Sequence, residues 1–295
     1  MGTHFFLIVN SRISNSKKEE LQKVLQEKFS LNEYTIHFTE YAGHAVGLAQ
    51  LALQLENVTV VAVGGDGTVN EIIQVLANTS TPFAIIPMGS GNGLARHCHI
   101  PVDIGPAVEL LKNGKLTAID LGKANEKFFI SNVGVGFDAF VCESIRHTKS
   151  RGLKMYFLHV LKHYLSYQND IYEIESAEYH QSQSAFMLNV ANGKEFGYGF
   201  KIAPNASLQD GYFDVVLVKK MNIFQSIPFV IDGWKSRLHL NKNCIYFKTQ
   251  KIKIKGKKLY YFQTDGDAHC CDGICEIKLC QNALQLIVPD TIKNL

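Results

Sequence analysis

The sequence predicts an α/β protein with an N-terminal parallel sheet of Rossmann-like topology and a C-terminal antiparallel β-sandwich. Strand and helix patterns alternate from residue 5 to about residue 121. Short β-rich runs separated by glycine and asparagine turns follow from residue 127 onward. The chain has 295 residues, of which 46% are hydrophobic, and this is enough to fill two cores.

The N-terminal elements follow from the spacing of apolar residues. Short apolar runs predict strands at residues 5–9, 34–38, 58–63 and 83–86. Between them, apolar residues recur at helical spacing and predict helices at residues 16–28, 43–55 and 68–77. Strands that alternate with helices pair in parallel, so these segments form one sheet covered by helices.

The C-terminal half is predicted to be mainly β. Its strands are expected within residues 128–132, 185–191, 213–218, 245–255 and 283–288. The change of pattern places the boundary near residues 122–126. We therefore divide the chain into an α/β domain at residues 1–124 and a β-sandwich domain at residues 125–288.

Two helical stretches interrupt the β-rich half. In the first, residues 153–165, apolar side chains recur at helical spacing beside basic residues that include Arg151 and Lys162. Packing on the sandwich and lying on a membrane surface are both open for this helix, and packing is the more common arrangement. The second stretch, residues 223–238, contains the only tryptophan, Trp234, and is interpreted as structural.

Composition excludes several classes of protein. A formal net charge of +3 is too mild for a nucleic-acid-binding protein, although it is compatible with weak attraction to an anionic membrane. No apolar run approaches the roughly 18 to 20 residues that cross a bilayer, and residues 5–9 are too short for the core of a signal peptide. Seven scattered cysteines indicate reduced thiols. We expect a cytoplasmic protein that binds no nucleic acid.

Two glycine-rich loops follow neighbouring predicted strands. Residues 64–71 read Gly-Gly-Asp-Gly-Thr-Val-Asn-Glu, and residues 89–96 read Gly-Ser-Gly-Asn-Gly-Leu-Ala-Arg. Glycine lets the backbone approach a ligand closely, and N–H groups at a helix N-terminus bind phosphate. The paired loops therefore predict a polyphosphate site, and a nucleotide is the first ligand to consider.

Asp66 is the acidic residue of the first loop. A carboxylate repels phosphate unless a cation lies between them or the carboxylate accepts a proton. A solvated turn residue is the alternative interpretation of Asp66. Thr68 and Glu71 are three residues apart and also fit a capping box, which explains both residues without any ligand.

Further motifs extend over nearly the whole chain. They are Asn-Val-Gly-Val-Gly-Phe-Asp-Ala at residues 132–139, a long segment at 192–215 that contains Lys-Ile-Ala-Pro and Asp-Gly-Tyr-Phe-Asp-Val, and Thr-Asp-Gly-Asp at 264–267. Together with the two glycine loops, and in this order, they resemble the diacylglycerol kinase catalytic family, which includes bacterial lipid kinases and the sphingosine and ceramide kinases. The resemblance implies that residues 289–295 return to pack on the first domain.

The resemblance implies a kinase reaction in which the γ-phosphoryl group of ATP, with Mg²⁺, passes to a hydroxyl of a lipid. Asp265 corresponds to the aspartate of the family's Asp-Gly-Glu turn and is implied to be the base that accepts the hydroxyl proton. Asp66 would then bind the Mg²⁺ that bridges the phosphate groups. The two roles could be exchanged, because the aspartate of the first glycine loop has been viewed as the base in the sphingosine kinase branch.

The resemblance also implies a set of nucleotide contacts and a second metal site. The residues expected to contact ATP are Asn10, Thr39, Gly64, Gly65, Asp66, Gly67, Thr68, Asn70, Glu71, Gly89, Ser90, Gly91 and Asn92. Asp210 corresponds to the aspartate of a structural Mg²⁺ site, with backbone carbonyls at about Ser207 and Tyr212 completing the shell. An Asp-Gly β-turn is the alternative interpretation of Asp210.

The implied acceptor is a lipid at a membrane surface, with diacylglycerol as the default, and peripheral membrane contact is expected. The oligomeric state is open, a homodimer being one option. One alternative function is a soluble-substrate kinase such as NAD kinase, which shares the Gly-Gly-Asp-Gly loop. The other is a nucleotide-binding regulator without catalysis, because residues 10–14 read Asn-Ser-Arg-Ile-Ser where the family usually has Asn-Pro-x-Ser-Gly.

Overall fold

The structure is a computed structural model that describes residues 4–146, 148, 153–196, 199–291 and 295 of the chain. It contains two compact units. One comprises residues up to Leu121 together with residues from Gln281 onward, and the other comprises Gly122–Cys280. Arg151 and residues 292–294, on which expectations from the sequence also rest, lie outside the described residues.

The first unit contains a parallel sheet. Its strands are β1 His4–Val9, β2 Tyr34–Phe38, β3 Val58–Gly64, β4 Pro82–Pro87 and the last residues of β16 Ile274–Val288. They lie in the order β2-β1-β3-β4-β16, and each neighbouring pair is parallel. Every residue of β3 is buried, as expected for a strand covered on both faces. The predicted parallel sheet is confirmed.

Helices of the first unit each bury one stripe of apolar side chains. They are α1 Asn15–Lys28, α2 His44–Ala52, α3 Asp66–Leu76, α4 Gly93–His97 and α5 Ile104–Asn113. The buried residues Leu21 and Leu25 of α1 lie one turn apart, as do Val108 and Leu111 of α5. These side chains pack with Val61 of β3 in one core cluster.

The second unit is built mainly from antiparallel strands. After β5 Lys115–Ala124, which ends in this unit, they are β6 Lys127–Phe129, β7 Asn132–Gly136, β8 Asp170–Glu175, β9 His180–Ala185, β10 Met187–Ala191, β11 Phe213–Val218, β12 Cys244–Thr249, β13 Lys251–Gly256, β14 Tyr261–Thr264 and β15 Asp267–Cys270. One sheet has the order β12-β11-β10-β7-β14-β15, and in the other the first residues of β16 pair with β13, followed by β8 and β9. Side chains of both sheets, such as Val190 and Ile254, share one core cluster. The predicted β-sandwich is confirmed.

Two predicted strands are divided in the structure. The run at 128–132 is divided because β6 ends at Phe129 and β7 begins at Asn132, and the N–H groups between them bind a carboxylate described below. The run at 245–255 is divided because β12 and β13 belong to different sheets, and the chain passes from one to the other at Gln250. The strand limits predicted at these two points are wrong.

Helices of the second unit are α6 Phe137–Arg146, α7 Leu153–Tyr164 and α8 Ile223–Trp234, followed by a 3₁₀ turn at Leu238–Leu240. Their inner side chains, among them Tyr156 and Phe229, pack with Val216 of β11 in a second cluster. The predicted helix at 153–165 therefore packs on the sandwich. α8 ends before the predicted limit of residue 238, because Ser236 adopts a left-handed φ of +59°.

The described residues contain neither a membrane-spanning helix nor a disulfide bond. In these ranges no helix is both long enough and apolar enough to cross a bilayer. The cysteines described by the structure are free thiols, and Cys98, Cys142 and Cys275 are buried. Buried thiols of this kind act as small apolar side chains.

Candidate active site

The two glycine loops meet at the carboxyl edge of the parallel sheet. β3 and β4 are neighbours, and their last residues Gly64 and Pro87 are register partners. The N–H group of Met88 donates to the carbonyl oxygen of Gly64 at 2.7 Å. The loops that follow these strands therefore start side by side, at the edge where ligands of open parallel sheets bind.

Glycine is required where the two loops touch. A Cβ atom on Gly89 would lie 2.4 Å from Cα of Gly65, and a Cβ atom on Gly65 would lie 3.0 Å from Cα of Gly89. These two residues pack backbone against backbone. Gly91 is similarly restricted, because its Cβ would lie 2.7 Å from Oδ2 of Asp66. Any side chain at Gly89 would push the loops apart.

Asp66 links the first loop to the second. Its Oδ1 accepts a hydrogen bond from the N–H group of Gly93 at 2.6 Å, at the start of α4. Burial raises the pKa of Asp66 above its ordinary value, while backbone N–H groups of Gly93, Leu94 and Asn92 act in the opposite direction. Asp66 is therefore a partly buried connection between two loops, and the solvated turn residue considered from the sequence is not what the structure contains.

Polar side chains hold the loop that follows β1. Asn10 donates through Nδ2 to Oγ1 of Thr68 at 3.0 Å and accepts through Oδ1 from the N–H group of Arg12 at 2.9 Å. The N–H group of Ser11 donates to Oγ1 of Thr39 at 3.2 Å. These bonds fix the loop beside α3, although it lacks the proline and glycine that are usual in the family it resembles.

Glu71 caps a different helix from the one predicted. Its Oε1 accepts from the N–H group of Gly43 at 2.9 Å and its Oε2 from that of Ala45 at 3.1 Å, at the start of α2. α3 follows its N-cap residue Gly65 without a side-chain cap, and the hydroxyl of Thr68 bonds to the loop after β1. The predicted capping box between Thr68 and Glu71 is therefore wrong, because both side chains bond to other segments.

A cleft of about 340 Å³ opens beside the loops. It is lined by residues of the loops after β1, β3 and β4, namely Asn10, Arg12, Ile13, Gly64, Gly65, Asp66, Gly67, Met88, Gly89, Ser90 and Gly91. The cleft brings together most of the residues that the resemblance assigns to ATP. The others, which lie outside its lining, are Thr39, Thr68, Asn70, Glu71 and Asn92.

Arg12 is the cationic side chain of this lining, and it is a neighbour of Asn10 that is not itself among the residues named for ATP. A guanidinium group suits phosphate because its N–H donors form a planar fork. The signal that could have identified it is its position two residues after Asn10, in the loop that follows β1. Since β1 pairs with β3, the loops after both strands emerge at the same edge of the sheet.

Asp265, the implied base, is bound to the backbone of its own unit. Its Oδ2 accepts from the N–H group of Ile130 at 2.8 Å, and its Oδ1 accepts from those of Ser131 at 2.8 Å and Asn132 at 3.0 Å. These bonds take the place of ladder bonds where β6 ends and β7 begins. The residue adopts a left-handed φ of +49°, so both its backbone and its carboxylate have a defined orientation.

A buried polar network supports the turn that carries Asp265. Gln263 donates through Nε2 to Oδ1 of Asn132 and to Oδ2 of Asp138, both at 2.8 Å. Its Oε1 accepts from the N–H group of Gly266 at 2.7 Å. Burial raises the pKa of Asp138 to about 6, against the lowering effect of its hydrogen bonds from Gln263 and Tyr156. Asp138 is not among the predicted site residues, and its signal in the sequence is a single acid in the otherwise apolar run at 133–139.

The predicted metal site at Asp210 contains a cation supplied by the protein. Nζ of Lys248 lies 2.6 Å from Oδ2 of Asp210 and 3.4 Å from Oδ2 of the buried Asp214. Oδ1 of Asp210 accepts from the N–H group of Tyr212 at 3.1 Å, and Oγ of Ser207 accepts from a neighbouring N–H group at 3.2 Å. The carboxylate of Asp210 is therefore already paired with Lys248, and the described residues contain no cluster of metal-binding side chains. The metal assignment stays a prediction.

The fold and the apposed loops define a class of protein: an α/β unit with paired glycine loops, followed in the chain by an antiparallel β-sandwich. Comparison with known proteins identifies the family. Residues 4–124 match the diacylglycerol kinase catalytic domain, and residues 131–288 match the YegS C-terminal NAD kinase β-sandwich-like domain. The chain belongs to the family of YegS-like lipid kinases, and its first domain is a diacylglycerol kinase catalytic domain.

The chain is similar to known proteins over nearly its full length. It is 29% identical to a protein of Pectobacterium atrosepticum named probable lipid kinase YegS-like, with 88% of each chain covered. It is 28% identical to a protein of the same name from Yersinia pestis, with 90% of each chain covered. The crystal structure of a diacylglycerol kinase from Bacillus anthracis str. Sterne has a TM-score of 0.74 at 21% identity, with 98% of each chain covered, and shows the shared fold.

Proposed function

We propose that this chain is an ATP-dependent lipid kinase that transfers the γ-phosphoryl group of ATP to a lipid hydroxyl, with diacylglycerol as the first acceptor to test. Membership of a lipid kinase family supports the proposal. The observation that carries it is the backbone contact between Gly65 and Gly89, which places two glycine loops along one cleft. Such a cleft suits a ligand with several phosphate groups.

The triphosphate of ATP would lie along the apposed loops. Because α3 begins without a side-chain cap, a phosphate group can take the place of that cap. Arg12 would add a positive charge from the loop after β1, and Asn10 and Ser90 would supply polar contacts. Glycine at positions 65, 89 and 91 would let phosphate oxygens come close to the backbone.

Mg²⁺ would accompany ATP, and the carboxylate of Asp66 would bind the ion. The ion would neutralise phosphate charge during transfer. Asp66 lines the cleft, and its carboxylate oxygens are of the type that Mg²⁺ prefers. Its Oδ1 is held by the N–H group of Gly93, so the carboxylate is positioned before a ligand arrives. The second site at Asp210 has no part in the proposal, because Lys248 already compensates its charge.

The acceptor hydroxyl must lose its proton as it attacks the phosphorus atom. We assign this step to Asp265 and keep Asp66 as the alternative. Backbone N–H groups hold the Asp265 carboxylate in one orientation, which favours the accurate positioning that catalysis requires. The raised pKa of Asp66 favours the alternative, because a more basic carboxylate takes up a proton more readily. Asp265→Asn and Asp66→Asn, compared in kcat and in ATP affinity, separate the two roles.

The experiment offers radiolabelled ATP to the wild-type chain with diacylglycerol, monoacylglycerol, sphingosine or ceramide in mixed micelles, and with NAD in parallel. The proposal expects label in a lipid product. Label on NAD alone would contradict it and support a soluble-substrate kinase, an alternative that the NAD-kinase-like match of residues 131–288 favours. ATP binding without label on any acceptor would support a regulator without catalysis.

A further inference from the structure

The outer face of α8 is a row of exposed apolar side chains. Phe224 is 81% exposed and Trp234 is 61% exposed, and Ile223, Ile227 and Ile231 are also exposed. These positions recur at helical spacing and share one side of the helix. On the opposite side, Phe229 and Gly233 are buried against the second unit. The apolar row is therefore largely open to solvent, although the Trp234 ring also contacts Phe200 edge to face, with the ring centroids 6.3 Å apart.

α7 presents a second row of the same kind. Phe157, Leu158 and Leu161 are exposed, and so is Leu165, which follows the last residue of the helix and is 75% exposed. The inner side chains of α7 pack in the cluster that also contains Phe229 of α8. The two helices are neighbours, because the side chain of Tyr164 interacts with Ser226 and donates to the carbonyl oxygen of Met221 at 2.9 Å. We refer to the two rows together as the α7–α8 apolar face.

Basic residues accompany this face and acidic ones are scarce. Residues 155–168 contain the exposed Lys162 and no acid, while residues 219–242 contain one acid, Asp232. The exposed cations of the latter segment are Lys219, Lys220, Lys235, Arg237 and Lys242. Asp232 is partly covered and accepts from Asn241 at 2.8 Å. The segment 219–242 thus carries five cations against one acid, a net formal charge of +4.

We propose that the α7–α8 apolar face docks onto a bilayer that contains anionic phospholipids. Exposed phenylalanine, leucine and tryptophan next to lysine and arginine is the composition of helices that lie in the membrane interface. Apolar side chains insert among the acyl chains, and the basic residues contact the anionic headgroups. A contiguous apolar surface of this kind indicates an interaction site. The inference deepens the proposed function by naming how the enzyme reaches a lipid acceptor.

The chain contains its own reporter for this docking. Trp234 is the only tryptophan and lies in the apolar face, so its fluorescence reports on that face alone. We expect vesicles of equal parts phosphatidylcholine and phosphatidylglycerol to shift its emission to the blue. Vesicles of phosphatidylcholine alone should bind at least about tenfold more weakly, since the charge attraction is absent. Added salt should weaken the anionic interaction.

Two sets of variants test the face by sedimentation with the same anionic vesicles. Phe224→Ser with Ile227→Ser should reduce binding by at least about tenfold, because two inserted side chains are lost. Lys219→Gln with Lys235→Gln and Lys242→Gln should reduce binding by a similar factor while leaving the apolar row intact. The control is Leu31→Ser, a residue of the first unit that is 80% exposed, and it should bind as the wild type does.

Binding of both variant sets at wild-type strength would overturn the proposal. A blue shift that depends on protein concentration without vesicles would overturn it in favour of self-association through the same face. An assay of the phosphorylation of dispersed short-chain diacylglycerol, which needs no vesicle, distinguishes failure of membrane docking from failure of the proposed kinase function. Docking variants that retain this activity support the docking surface, whereas a wild-type chain that binds vesicles but phosphorylates no lipid would contradict the proposed function alone.

Discussion

The carboxylate of Asp66 accepts a hydrogen bond from the N–H group of Gly93 at 2.6 Å, and this bond connects the first glycine loop to the helix that follows the second. The residues are 27 positions apart in the chain. A loop that must hold a highly charged ligand needs a fixed backbone before the ligand arrives, because ordering it on binding weakens affinity. The bond between Asp66 and Gly93 supplies part of that order.

Removal of the Asp66 carboxylate is expected to loosen both loops. Asp66→Ala should lower the free energy of unfolding by about 1.5–3 kcal/mol, because a partly buried N–H group loses a charged acceptor. Asp66→Asn keeps an oxygen acceptor, so it should retain more stability while still losing kinase activity. Urea unfolding and a kinase assay of the three proteins measure this, and equal stability of all three would show that the bond is unimportant.

The contact between the loops makes Gly89 the most restricted glycine of the two loops, because a Cβ atom there would lie 2.4 Å from Cα of Gly65. Gly89→Ala should displace the Gly65 backbone and abolish the rise in melting temperature that ATP is expected to cause. Gly47→Ala is the matched control. Gly47 lies within α2 and a Cβ there meets no atom within 4 Å, so this substitution should stabilise the chain by about 0.5–1 kcal/mol. An undiminished ATP response in Gly89→Ala would contradict the assigned cleft.

Asp138 should make the stability of the chain depend on pH. Burial raises its pKa from 3.8 to about 6. A carboxyl whose pKa is raised on folding contributes stability while it is protonated, so the contribution is full at low pH and is lost as pH rises through about 6. Relative to Asp138→Asn, the wild type should lose about 2–2.5 kcal/mol of stability from about pH 4 to about pH 7. Urea titrations across this range measure the difference, and parallel profiles would contradict the assignment.

Lys248 is expected to replace a metal ion at Asp210. In Lys248→Met the buried carboxylate of Asp214 loses its counter-charge and keeps its hydrogen bond from Tyr246. Stability should fall by about 1–2 kcal/mol, below the value for a fully buried pair because Lys248 is partly exposed. Added Mg²⁺ should then stabilise the variant and leave the nucleotide-free wild type unchanged.

Lys253→Met is the control for Lys248. Lys253 pairs with Glu276 at the surface, and loss of such a pair should cost less than about 1 kcal/mol. Melting curves with and without EDTA provide the measurement. If EDTA destabilised the nucleotide-free wild type, that result would support the metal site implied by the family resemblance and contradict the role given to Lys248.

Local sequence patterns were sufficient to predict the fold class and the glycine loops. Buried parallel strands such as β3 are nearly continuous apolar runs in the sequence. The glycines at 64, 65 and 67 identify the loop that follows β3. The break between β6 and β7 could not be predicted, because it depends on Asp265, which lies more than 130 positions further along. Long-range partners of this kind leave no local signal.

For the polar side chains of the site, too, the sequence predicted the residues but not their hydrogen-bond partners. Glu71 has the spacing of a capping residue for its own helix, but its acceptors serve Gly43 and Ala45 of another helix. Only the packing of α2 against α3 makes that choice possible. The pairing of Lys248 with Asp210, 38 positions away, depends on where β12 lies beside β11. Sequence motifs located these polar residues, and tertiary structure determined their partners.

The most direct measurement of the central claim follows the γ-phosphoryl group of radiolabelled ATP into a total lipid extract, with the products separated and identified by mass spectrometry. We expect a labelled lipid phosphate with the wild-type chain and loss of that product with Gly89→Ala. Label that remains in ATP, passes only to water or appears only on a soluble acceptor would contradict it.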